Sequence, residues 1–162
     1  MKRLQCVIFL VFVLASTALL GACRSESETE SQPTQEMSMA MGAMEIPDDL
    51  DTSSTRTSDQ GLYQVSISSQ LDPIAINQIH NWTLHVETAD GQPVENAEIT
   101  VDGGMPQHDH GLPTAPQVTQ DLENGDYLVE GLKFHMDGWW EIKFAIKSAS
   151  QSDGVTFNLL LQ

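Results

Sequence analysis

Cysteine is nearly absent from this sequence. The 162 residues hold two, Cys6 and Cys23, both close to the N-terminus. Cys6 lies in the N-terminal apolar run and Cys23 closes an L-G-A-C tetrapeptide, so the rest of the chain has no thiol for a disulfide or a cysteine-type zinc site. Basic residues are also scarce. Lys and Arg total 7 against 23 Asp and Glu, and beyond Cys23 only five basic residues remain, a formal balance of −18 there. Nucleic acid rewards clustered Lys and Arg, so it is excluded as a partner, whereas cations are favoured. There is no nucleophile elbow, no phosphate loop and no H-E-x-x-H, and no Ser/His/Asp grouping stands out, so the chain is not expected to be an enzyme. No stretch beyond the N-terminus keeps a helical apolar period.

What is present begins with a leader. Lys2 and Arg3 precede an apolar run from Cys6 to Leu20, which ends in Leu20-Gly21-Ala22-Cys23. Basic start, short apolar core and small residues before a cysteine read as a lipoprotein signal peptide over residues 1–22. The run is short for a membrane span, which needs about 20 apolar residues. Cys23 becomes the lipidated first residue of the mature chain, anchored to a membrane of the bacterial envelope with the remainder in the periplasm or extracytoplasmic space. Residues 23–60 are rich in Ser, Thr, Glu, Asp and Gln without apolar periodicity, and read as a disordered tether. Inside it Met37, Met39, Met41 and Met44 form a thioether cluster of a kind that favours Cu(I), and stand as auxiliary ligands.

A folded domain is expected over 61–162. Seven short stretches alternate apolar and polar residues, among them His80 to Thr88 (Trp82, Leu84 and Val86 inward) and Trp139 to Ile146 (Trp140, Ile142, Phe144 and Ile146 inward). Asp90-Gly91 and Asn124-Gly125 supply turns, and Gly125-x-Tyr127 resembles a tyrosine corner. The pattern points to an all-β, immunoglobulin-like antiparallel β-sandwich of about seven strands. His85 reads as a solvated strand histidine, and His80, at the strand's start, as a spare ligand.

The chemistry concentrates in G-G-M-P-Q-H-D-H-G-L-P-T-A-P, residues 103–116. Three prolines and three glycines set a loop path there. If the H-x-H piece is extended, His108 and His110 leave one side of the backbone about 7 Å apart and can converge on one ion. Met105 adds a thioether. Downstream, His135 and Met136 are adjacent and point to opposite sides of an extended chain, so one of them joins the set. Met136 is preferred and His135 kept in reserve. Two imidazoles and two thioethers (Met105, His108, His110, Met136) without thiolate suit copper, as Cu(I) or Cu(II). Zinc is the second choice, with Asp109 as its carboxylate.

The stretches D-G-Q-P-V-x-x-A-x-I-x-V-D-G-G-M-P-Q-H-D-H-G-L-P-T and N-G-D-Y-L-V-E-G-L-K-F-H-M-D-G-W-W-E-I resemble the YtkA-like domain, a relative of FixH-type envelope domains. The resemblance implies an immunoglobulin-like sandwich, copper handling in the bacterial envelope, and Met105, His108, His110 and Met136 as the motif residues. His135 is not taken from the family pattern. The expected function is copper buffering or delivery to a copper-accepting envelope protein. The alternative is a metal-free sandwich that contacts an envelope or membrane protein.

Overall fold

The computed structural model describes residues 45–149 and 151–162. Cys23 and the methionines 37, 39, 41 and 44 lie outside the described residues. Nine strands and no helix occur among those described: β1 (Thr55–Thr57), β2 (Tyr63–Ser69), β3 (His80–Thr88), β4 (Glu98–Met105), β5 (His110–Gly111), β6 (Gln117–Asp121), β7 (Asp126–Leu132), β8 (Gly138–Ser148) and β9 (Gln151–Leu161). They form two antiparallel sheets, in the orders β1-β2-β3-β7-β6 and β5-β4-β8-β9. The all-β sandwich is as expected. The count is nine rather than seven because β1 and β5, of three and two residues, are too short to show alternation.

Alternation builds the core. Trp82, Leu84 and Val86 of β3, Tyr127 and Val129 of β7, and Trp140, Ile142, Phe144 and Ile146 of β8 are buried between the sheets. Each such large apolar side chain contributes about 2–3 kcal/mol on burial. One departure from strict alternation matters for the site. Gly131 has φ +87°, and the β3–β7 register slips there, from Trp82↔Val129 to His80↔Leu132. This bulge lets Leu132 follow Val129 into the core after two intervening residues, so Phe134 also turns inward while His135 faces solvent. Tyr127 keeps the alternation and adds a polar anchor. Tyr127 Oη donates to Val94 O (2.7 Å) and accepts from Ala97 N (3.0 Å). It ties down the β3–β4 connection some thirty residues away, rather than the backbone a few residues upstream as a tyrosine corner does.

The folded part also starts earlier than Gly61, within the stretch read as tether. Thr55–Thr57 pairs with Gln64–Ser66. Ser58 to Leu62 is then fastened by a buried carboxylate, Asp153 of β9. Its oxygens accept from Ser58 Oγ (2.6 Å), Gln60 N (3.1 Å), Leu62 N (3.2 Å) and Gly154 N (2.8 Å). Polar composition concealed this, because the order comes from main-chain groups captured by a residue far along the sequence.

Candidate metal centre

The site lies at one end of the second sheet. There the β4–β5 hairpin meets the loop from Lys133 to Asp137 that leads into β8. The hairpin reverses through Pro106 to Asp109, with His108 N donating to Met105 O (3.1 Å) and Asp109 at φ +50°. His108 and His110 are therefore not on an extended piece. The reversal still brings their rings together, 5.8 Å apart and stacked at 14°. Gly104 permits the tight hairpin, since a Cβ there would collide with the His110 carbonyl.

Register places Met105 in the same row. Met105 pairs with His110 across β4–β5, and opposite residues on paired strands share a face. On its other side β4 pairs Gly104 with Glu141, so Met105 comes level with Trp140 of β8. The row His110, Met105, Trp140 thus crosses the sheet on its inner face. Met105 is 1% exposed. Its Cε stands 2.9 Å from the position a Cβ would take on Gly138, whose φ is +113°.

His135 completes the cluster. Its ring is 5.0 Å from that of His110 and 5.4 Å from that of Trp140, while His110 and Trp140 are 5.9 Å apart. Trp140 is fully buried and donates Nε1–H to Met136 O (3.1 Å), which pins the loop that carries His135. Met136 is half-buried and packs against the core. The adjacent pair does diverge, and the member beside His110 is His135.

The donors fit a soft or borderline metal ion. His110 Nδ1 lies 3.2 Å from Gly111 O; a carbonyl only accepts, so this contact uses Nδ1 as a donor and leaves Nε2 as the nitrogen that could meet a metal ion. His108 and His135 are exposed. Among the described residues no group of three or more His, Cys, Asp or Glu side chains is already arranged to hold a metal ion. Asp109 is exposed within the turn. Beside the cluster, a surface depression of about 480 Å³ is lined by Met105, His110, Asp102, Asp109, Glu141 and other hairpin residues.

His80 is placed elsewhere. It is 3% exposed, with Nδ1 at 3.1 Å from Gln78 O, and its ring packs on Trp82 (6.3 Å) and Phe134 (5.8 Å). Phe134 in turn lies 5.2 Å from Trp140, so aromatic rings separate His80 from the cluster. His85 is not simply solvated either. Its Nδ1 is 2.6 Å from Asp126 Oδ1 and its Nε2 3.2 Å from Glu87 Oε1. The two carboxylates sit at opposite ends of the imidazole and do not converge on a common point. Burial pulls the His85 pKa down, but the hydrogen bonds to Asp126 and Glu87 and their charges outweigh it and leave it raised. Trp140 was legible in the sequence as a core residue but not as the floor of the site. The signal was its place four residues after Met136, which brings the indole N–H back to that carbonyl.

No curated protein is similar enough to this chain to match. Among solved structures, one described as "ZirS C-terminal Domain" aligns at 18% identity over 96% of this chain and 93% of that chain, with a TM-score of 0.35. A family model described as YtkA-like matches residues 57–145, which include β2 to β7, the His/Met hairpin and most of β8. That span is more than half of the sequence, and the chain belongs to the YtkA-like family.

Proposed function

We propose that this protein is a lipid-anchored envelope protein that binds copper and buffers it or passes it to a copper-accepting envelope protein. The observation that carries the reading is the clustering of His108, His110 and His135 at the rim of the sheet, in register with the buried thioether of Met105. Three imidazoles and a thioether, without thiolate, suit copper in either oxidation state, and the thioether tilts the preference to Cu(I). Zinc, which favours carboxylate or thiolate beside histidine, ranks second. Met136 holds its place through its carbonyl and keeps the Trp140 indole beside the histidines. The lipid on Cys23 would supply the membrane attachment, and the methionines 37, 39, 41 and 44 a second, weaker collecting point.

The test is anaerobic Cu(I) titration of the mature chain against a chromophoric chelator. One tight equivalent is expected. It should be lost in the His108→Ala/His110→Ala double variant and kept when the four tether methionines are replaced by leucine. Tight binding that survives in the histidine variant and disappears with the tether methionines would overturn the assignment.

A further inference from the structure

The edge of β4 is open beside the site. β8 covers one side of this strand from Glu98 to Gly104, but β5 covers the other side only at Gly104 and Met105. Gly103 O points away from β8, since it accepts from Leu112 N (3.1 Å). By the two-residue period of a strand, the main-chain groups of Val101 and Ile99 point the same way. Among the described residues no strand pairs with them there. β6, the edge of the other sheet, faces this strand across a cavity of about 550 Å³. Ile99, Val101, Leu112 and Val118 give it apolar walls. Thr114 Oγ1, also on its wall, is buried with no hydrogen-bond partner. A row of unpaired main-chain groups over an apolar trough is the template for an added strand.

We infer that this groove receives an extended, basic segment of a partner protein, which adds as a strand to the β4 edge. Charge selects this occupant. Asp102 lines the groove, and no Lys or Arg does. Beyond the lining, Asp121 at the end of β6 accepts from Asn96 N (2.8 Å) and Glu95, ahead of β4, accepts from Asn124 N (3.3 Å), which adds two carboxylates to these elements. A second copy of the chain carries the same formal charge of −16. The chain's own residues 24–44 hold four glutamates and one arginine, so they are repelled as well. A segment with apolar side chains toward Val101 and Val118 and lysine or arginine between them satisfies both the trough and its rim. The edge is open whatever occupies the histidine cluster, so this inference stands apart from the copper reading.

The experiment is amide hydrogen exchange on the mature chain, without metal, in the presence of a short synthetic peptide of alternating valine and lysine. The amides of Ile99 and Val101 should slow by roughly tenfold or more at saturation. Protection should weaken with added salt and in the Asp102→Lys variant, which alters an exposed side chain. Val101→Pro, which removes an edge donor without touching the β8 ladder, should abolish it. Absence of protection at saturating peptide would sink the proposal. So would equal protection by a valine–glutamate peptide. Protection produced merely by raising the protein concentration would identify a second copy as the occupant instead.

Discussion

At the scale of single residues, the candidate site depends on a glycine that carries no donor of its own but packs against Met105. Gly138 combines φ +113° with a Cβ position 2.9 Å from Met105 Cε. Gly138→Ala strains the backbone and pushes the thioether methyl aside. The substitution should cost about 1–2 kcal/mol of stability. On the copper reading proposed above it should also weaken Cu(I) binding by about tenfold, because the displaced thioether is the soft donor. Calorimetric melting and chelator competition on the same variant separate the two effects. His135 poses the complementary question. Parity in the sequence puts His135 and Met136 on opposite sides of the chain; the structure sets His135 beside His110 and packs Met136 on the core, a cross-loop approach that spacing along one segment does not encode. His135→Ala should therefore lower Cu(I) affinity more than Met136→Leu, as read by the same competition. The reverse order would return the fourth ligand to Met136.

At the scale of elements, alternation made most of the fold legible. The long strands β3 and β8 read directly, because each buries one face and a one-residue slip would expose it. What stayed hidden was set by side chains acting at long range. The anchoring of residues 58–62 by Asp153 leaves no local pattern, and β5 exists only because the hairpin folds back on β4. Asp153 also makes acid sensitivity a property of this edge. Burial alone would raise its pKa, but the Ser58 hydroxyl and the N–H groups of Gly154, Leu62 and Gln60 outweigh it, so the folded-state pKa is lowered. A lowered carboxylate pKa stabilises the fold at pH above the unfolded value of about 4, and that stabilisation is lost as pH falls through the folded value. The wild-type melting temperature should drop steeply over that acid range, and that of Asp153→Asn should drop less. At neutral pH the variant should be less stable by about 2–3 kcal/mol, having lost hydrogen bonds to a charged group.

The His85 pair on the opposite sheet works with the other sign. Its raised pKa means that the imidazolium held by Asp126 and Glu87 stabilises the fold below about pH 6.5, and that this is lost as pH rises through the folded value. The groups are about a third exposed or more, so the contribution is below about 1 kcal/mol. Melting curves of wild type and His85→Gln should differ at pH 5.5 and converge at alkaline pH.

At the scale of the whole molecule, a strongly acidic chain with no cysteine beyond Cys23 presents a small sandwich whose one histidine-rich end lies beside an unpaired strand edge. The family was legible from the hairpin and the G-W-W strand, since these residues make the turn and the floor of the site. A ligand held only by the native state must raise the melting temperature, by an amount equivalent to about 4 kcal/mol at a thousandfold excess over Kd. Cu(I) should produce that rise in the wild type and not in His108→Ala/His110→Ala. X-ray absorption at the copper edge, on the mature chain loaded anaerobically with one equivalent of Cu(I), tests the central claim most directly. The account predicts a shell dominated by imidazole nitrogen with a thioether sulfur. A shell of sulfur alone would contradict it, placing the copper on the methionines of residues 37–44 and leaving the histidine cluster without its metal.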